Sequence, residues 1–234
     1  MIYHDYSYDQ LEALADELNK RYNPKRLIAA EQVDVFDIVD MLGARLAFDY
    51  LTPDRSCLGA TTFKDGSLWI WPGNPYTKGM LPEKKFYRAG TIIIDADLDS
   101  SKTEQDRFIE NHTVMHECFH FDKHQASFKH NGAHLTKAGV LNYSQQTYDR
   151  KSAIYKIERQ ADYAAAAFLM PRQAVKNTFY EMFHARPGDP PVPFGYSTKP
   201  KIKEMGRLFG VNQTPMEFRL KDLGLLSKRF NSSL

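Results

Sequence analysis

The chain has few cysteines and no long apolar run, and both absences restrict the classes of protein to which it can belong. Two cysteines in 234 residues, Cys57 and Cys118, are too few for the disulfide framework of a small secreted domain, and they do not form a CxxC metal-binding pair. We expect both to be reduced thiols packed in the interior. No apolar stretch reaches the roughly 18 residues of a membrane span, and the start lacks a secretory signal. The sequence therefore predicts a cytoplasmic protein with no membrane partner.

The chain also lacks an excess of charge of either sign. Its 31 Lys and Arg residues stand against 29 Asp and Glu residues, which gives a formal net charge of +2. Such a balance excludes a strong overall field toward nucleic acid or anionic lipid, so any basic surface must be local. A hydrophobic content of 42% is enough to build a core.

Apolar periodicity predicts an α+β fold. Helical spacing covers 8 to 20 and 31 to 42, with Gly43 ending the second helix. Strand-like segments follow at 45–50, 58–63, 67–71 and 90–95, the last of which suits a strand covered on both faces. Lys64-Asp65-Gly66 predicts a hairpin between the second and third strands. We expect a small mixed or antiparallel sheet of three to four strands packed on active-site helices.

The second half of the chain is predicted to be mostly helical. A capping-box pattern at 101–104 begins a helix that runs to about His124, and residues 125 to 150 are predicted to be a loop or a partly helical insertion. Another helix runs from about Ser152 to Pro171, which can itself be the first residue of a helix that ends near His184.

One motif on the first of these helices carries specific chemistry. His116-Glu117-Cys118-Phe119-His120 is an HExxH pattern, whose spacing places both imidazoles on one helix face, where they can bind one zinc ion (Zn2+). Glu117 then lies beside the open coordination position, as a general base toward a zinc-activated water molecule. The pattern predicts a zinc metallopeptidase.

A catalytic zinc ion needs a further protein ligand, and the next helix supplies one. Glu158 is predicted to be the third ligand, and Asp162, one helical turn later, is predicted to accept the outer N–H of a ligand histidine. This HExxH and ExxxD arrangement resembles that of the thermolysin-like gluzincins.

Some roles stay open at this stage. Histidines recur every four residues from His112 to His124, so a polar helix face without metal is an alternative interpretation. We expect His112 and His124 to lie on solvated surface rather than to bind the ion. The donor that stabilises an oxyanion cannot be ranked among the candidates, which are Tyr163, His130, His134 and Tyr143.

The order of these parts resembles the ImmA/IrrE family of metallopeptidases. The likeness rests on Asp106-Arg-Phe-Ile109, the HExxH motif, and the segment from Glu158 that closes with Phe168-Leu-Met-Pro171, and it covers most of residues 30 to 226. Cys118-Phe119 and Asp162 depart from the family's usual Leu-Gly and Asn. The resemblance implies a protease whose partner and substrate is a regulatory protein such as a helix-turn-helix transcriptional repressor.

The domain organisation follows from a proline-rich stretch. We predict a zincin-like metallopeptidase domain at 1–185, a linker or extended arm at 186–198, and a helix-turn-helix-like tail at 199–234 with helices at 201–209 and 214–223. Lysines and arginines predominate in this tail, which suits contact with DNA phosphates. The alternative function is therefore a DNA-binding regulator with a structural or vestigial zinc site. The competing interpretation of the tail is a helical pair that packs on the catalytic domain or grips the substrate.

Overall fold

The computed structural model describes residues 4–73, 80–98, 103–130, 138–139 and 153–227. It has the mixed α+β fold that the sequence predicts. The strands are β1 (Arg45–Phe48), β2 (Cys57–Thr61), β3 (Gly66–Ile70), β4 (Glu83–Tyr87), β5 (Thr91–Ile94) and β6 (Ala138–Gly139). The helices are α1 (Tyr8–Tyr22), α2 (Val35–Leu42), α3 (Glu104–Phe119), α4 (Gln125–His130), α5 (Ala153–Leu169), α6 (Arg172–Phe183), α7 (Lys199–Phe209) and α8 (Gln213–Asp222).

The larger sheet is built around β5. Its order is β1-β5-β2-β6, with β1 parallel to β5 and β2 antiparallel to both β5 and β6. Every residue of β5 is buried, which confirms the prediction of a strand covered on both faces. The β-branched run of Ile92 to Ile94 fits this position because branched side chains pack well on a pleated surface.

The predicted hairpin is wrong, although its strands exist. β3 pairs with β4 in a separate two-stranded sheet, whereas β2 pairs with β5. The pairing of β2 continues past its end, since the Thr62 N–H donates to Thr91 O and the Gly90 N–H donates to Thr62 O. The Lys64-Asp65-Gly66 turn therefore connects two sheets rather than two neighbouring strands.

Helix α3 begins and ends differently from the prediction. Thr103 is its N-cap, and its hydroxyl accepts the N–H of Asp106; residues 101 and 102 of the predicted capping box lie outside the described residues. The helix does not stop at His124, because a π-helical turn from His120 to His124 leads directly into α4. Helix α4 agrees with the partly helical alternative for 125–150 as far as residue 130, and most of the remainder lies outside the described part of the chain.

The chain divides into two compact units that interleave in sequence. The first comprises Met1–Ser7 and Asp34–Tyr163, and the second comprises Tyr8–Val33 and Ala164–Leu234. Helix α5 runs through the division at Tyr163. The tail thus belongs to the same unit as α1, whereas the sequence predicts a separate segment from residue 199.

The tail helices are confirmed at nearly the predicted bounds. Gly210 ends α7 in a left-handed conformation with φ of 70°, which glycine adopts without steric cost. Within the proline-rich stretch, Val192 forms a parallel bridge with Leu226, so this part of the chain is extended backbone attached to the end of the tail.

Two buried arginines hold the second unit together. Arg26 donates to the carbonyls of Phe168 and Leu169, and Arg219 donates to the carbonyl of Met170. These carbonyls lie at the end of α5, where they have no partner within the helix. None of the described helices is long and apolar enough to cross a membrane.

Candidate metal centre

Helices α3 and α5 bring three possible metal ligands together. His116 Nε2 lies 2.8 Å from His120 Nε2 and 3.2 Å from Glu158 Oε2, and His120 Nε2 lies 3.5 Å from the same oxygen. The three ligand atoms all lie within 4.8 Å of one another. Both histidines are buried, and the Glu158 side chain is 16% exposed. One helix thus supplies two ligands at a spacing of four residues, and the other supplies the third.

The spacing of these atoms fits a zinc ion. Ligand bonds of about 2.0–2.2 Å in a tetrahedron place neighbouring donor atoms about 3.4 Å apart. The three separations, from 2.8 to 3.5 Å, bracket that value. Two imidazole nitrogens and one carboxylate are also the donor set of many catalytic zinc sites, which keep one position open. The residues present therefore fit the metal that the sequence predicts.

Asp162 lies behind the first ligand, on the side away from the other two. Its Oδ1 is 2.8 Å from His116 Nδ1, and this contact leaves the Nε2 lone pair of His116 directed at His120 and Glu158. His112 Nε2 is 3.6 Å from the same Asp162 oxygen, and the His112 side chain is 34% exposed. His112 thus contacts the group that orients His116 rather than the ligand atoms.

Charges within the cluster stabilise one another. Burial acts to raise the pKa of Glu158, but His120 and His116 outweigh burial and lower the pKa to about 2. The Asp162 pKa is held well below its usual value by His116 and His112 despite burial. Burial disfavours charge on His116, yet Asp162 and Glu158 raise its pKa well above the usual range. The ionised carboxylates thus favour a positive charge in this pocket, either a proton on His116 or a metal ion in place of that proton.

Glu117 is held from the sheet side. Its carboxylate Oε2 accepts a hydrogen bond of 2.7 Å from the hydroxyl of Thr61 on β2, and both side chains are fully buried. No local pattern in the sequence predicts the contact of Thr61, because 56 residues separate it from Glu117. The hydroxyl leaves the carboxylate one oxygen, Oε1, that is not committed to Thr61.

A glycine allows the sheet to approach Glu117 this closely. A Cβ at Gly59 would lie 2.8 Å from Thr113 Cγ2 and 2.9 Å from Glu117 Cγ, closer than carbon atoms pack. Gly59 and Thr61 are two residues apart on β2 and therefore share the face toward α3. The lack of a side chain at Gly59 and the hydroxyl group of Thr61 together position Glu117.

His124 is buried, so its expected place on solvated surface is wrong. Its Nδ1 lies 3.0 Å from His120 Nδ1, and its Nε2 lies 3.2 Å from Gln160 Oε1. Four-residue spacing continues through the π-helical turn and places the two rings 5.0 Å apart. Burial and the neighbouring His120 lower the pKa of His124 to about 3, which favours the neutral imidazole.

The remaining predicted residues are the two cysteines and the four candidates for the oxyanion donor. Cys57 and Cys118 are buried free thiols, as expected, and burial raises the pKa of Cys118. Tyr163 is partly buried next to Asp162 along α5. The His130 side chain, His134 and Tyr143 lie outside the described residues, so the oxyanion donor stays unassigned.

Comparison with known proteins adds no identification. No model of a protein family matches the sequence, and no curated protein matches it.

Proposed function

We propose that the chain is a zinc-dependent endopeptidase. The observation that carries the proposal is the convergence of His116, His120 and Glu158. Glu117 follows the first ligand in sequence, and its carboxylate contacts Thr61 on the sheet. We further propose, from the sequence resemblance alone, an ImmA/IrrE-like enzyme whose substrate is a regulatory protein such as a helix-turn-helix repressor.

Each residue has a distinct part in the proposed reaction. His116, His120 and Glu158 would hold zinc, and Asp162 orients the His116 ring by accepting a hydrogen bond from its Nδ1–H. When bound, zinc polarises a carbonyl group and lowers the pKa of water to about 7. Glu117 accepts the proton of the attacking water at Oε1 and later transfers it to the amine that leaves. Thr61 keeps the other oxygen, Oε2, fixed throughout.

The DNA-binding alternative has less support. Arg219, one of the tail's basic residues, is 2% exposed and donates to the Glu12 carboxylate and to Met170 O. Lys221 forms an ion pair with Glu217, and Lys201 donates to Met182 O. These contacts favour a tail that packs as a helical pair. A structural zinc would also more often have four protein ligands, whereas among the described residues three converge.

Metal content tests the site. We expect about one zinc ion per wild-type chain by elemental mass spectrometry after loading and desalting, because a three-ligand site binds one ion. His116→Ala and Glu158→Ala should each lose it, since each removes a ligand atom. Glu104→Ala, which changes an exposed glutamate on α3, should keep it. A wild-type protein that stays free of zinc would overturn the proposal.

Cleavage tests the role of Glu117. The zinc-loaded protein would be incubated with a library of proteome-derived peptides, and new amino termini would be identified by mass spectrometry. Glu117→Gln should retain zinc and lose cleavage by a factor of at least about 10², whereas Glu104→Gln should cleave like wild type. Cleavage by Glu117→Gln at the wild-type rate would contradict the proposed activity. So would a zinc-loaded wild-type protein that cleaves neither peptides nor intact repressor proteins.

A further inference from the structure

We infer that His124 and Gln160 are positioning residues for the metal ligand His120, because they determine which nitrogen of its ring carries the proton. The inference rests on the proposed metal site and extends it with two buried side chains that are not ligands. His120 is 0% exposed, His124 2% and Gln160 5%, so water does not compete for these contacts.

The proton positions follow from a backbone carbonyl at the far end of the hydrogen-bond chain. The carbonyl oxygen of His4 can only accept, so the group 3.1 Å from it must be the amide NH2 of Gln160. The Gln160 oxygen then faces His124 Nε2 at 3.2 Å. Because an amide oxygen only accepts, His124 Nε2 must carry a hydrogen.

The same reasoning extends to the ligand. A neutral imidazole has one N–H, so His124 presents a lone pair at Nδ1 to His120 Nδ1, 3.0 Å away. His120 Nδ1 therefore carries the hydrogen, and His120 Nε2 keeps its lone pair toward His116 and Glu158. A proton on the other nitrogen would point an N–H at the metal. The chain from His4 thus selects the tautomer that can bind zinc.

The two ligand histidines are oriented by groups of different charge. His116 contacts the carboxylate of Asp162, whereas His120 contacts an uncharged imidazole backed by an amide. Burying another carboxylate beside Glu117 and Glu158 would be costly, because a buried negative charge needs a partner of opposite sign. An uncharged chain orients the second ring without adding that charge.

The proton positions can be measured without any substitution. Nitrogen NMR of the histidine rings in zinc-loaded wild-type protein reports which ring nitrogen carries hydrogen. We expect hydrogen on Nδ1 of both His116 and His120, and on Nε2 of His124. Hydrogen on Nδ1 of His124 would overturn the inference.

Substitution of Gln160 tests whether these contacts affect the metal. Gln160→Leu keeps the size of the side chain but removes both hydrogen bonds, and it should weaken zinc binding by about 10- to 100-fold in competition with a chelator. Gln173→Leu, an exposed glutamine on α6, should bind zinc like wild type. If Gln160 only filled space, the leucine variant would bind zinc as tightly as wild type. A zinc affinity of Gln160→Leu within about twofold of wild type would therefore contradict the inference.

The outcomes separate this inference from the proposed function. A wild-type protein that binds no zinc overturns both. A wild-type protein that binds zinc and cleaves through Glu117, but in which Gln160→Leu binds zinc normally, overturns the positioning role alone.

Discussion

At the scale of single residues, the candidate site depends on contacts that the HExxH pattern does not contain. The pattern predicts which side chains could bind zinc because helical spacing alone brings His116 and His120 together. The pattern does not predict that Thr61, on a strand, donates a hydrogen bond to Glu117. It also does not predict that His124 is buried. Contacts between distant parts of the chain depend on the tertiary fold, and no local spacing encodes them.

Replacing Thr61 by valine tests the support of the general base. Thr61→Val keeps the shape but removes the hydroxyl that donates to Glu117 Oε2. A hydrogen bond to a charged group contributes about 1.5–3 kcal/mol, so we expect kcat to fall roughly tenfold or more while zinc content is unchanged. Peptide cleavage kinetics and elemental analysis measure the two quantities.

Two further variants complete this test. Thr61→Ser restores the hydroxyl and should recover activity. Thr178→Val removes another buried threonine hydroxyl, which donates to Ala174 O on α6, and should leave kcat unchanged. Equal kcat in Thr61→Val and wild type would remove Thr61 from the proposed mechanism.

At the scale of elements, periodicity predicted the helices well and the strand partners poorly. The bounds of α7 and α8 lie within two residues of those predicted, because amphipathic spacing and Gly210 are local signals. Asp65-Gly66 is also a local signal, but which strands pair is decided across the sheet, where β5 lies between β1 and β2. The predicted turn therefore connects two strands that do not pair with each other.

The close approach of β2 to α3 gives a prediction for Gly59. Gly59→Ala should force the strand and helix apart, because the new methyl group would lie 2.8 Å from Thr113 Cγ2 and 2.9 Å from Glu117 Cγ. We expect cleavage to fall by roughly 10- to 100-fold through misplacement of Glu117, with zinc still bound. Gly66→Ala is the matched control, since nothing lies within 4 Å of its added Cβ. Full activity of Gly59→Ala would show that this approach does not position the base.

At the scale of the whole molecule, stability of the second unit depends on a buried ion pair. Arg219 Nη2 donates to Glu12 Oε2 at 2.9 Å, and the two side chains are 2% and 5% exposed. Arg172 lies 3.5 Å from Glu12 but is 41% exposed, so it is a weaker partner. Removing one member of such a pair leaves an uncompensated buried charge.

We expect Arg219→Met to lower the free energy of unfolding by about 3 kcal/mol. The double variant Glu12→Gln with Arg219→Met should recover part of this loss, because it removes both charges. Arg207→Met, whose side chain is 51% exposed and pairs with Glu204, should change stability by less than about 1 kcal/mol. Urea unfolding measures all three, and an Arg219→Met variant as stable as wild type would contradict the importance of the pair.

The interleaving of the two units has a consequence for how the protein is made. Glu12 and Arg219 are 207 positions apart, so α1 leaves the ribosome long before its buried partner is translated. At about 5–20 residues per second, that interval lasts roughly 10–40 seconds. Throughout it, α1 has an apolar face and no completed core to cover it, which is the condition that chaperones recognise. Chains interrupted before Arg219 would keep this surface exposed and become substrates for cellular quality control.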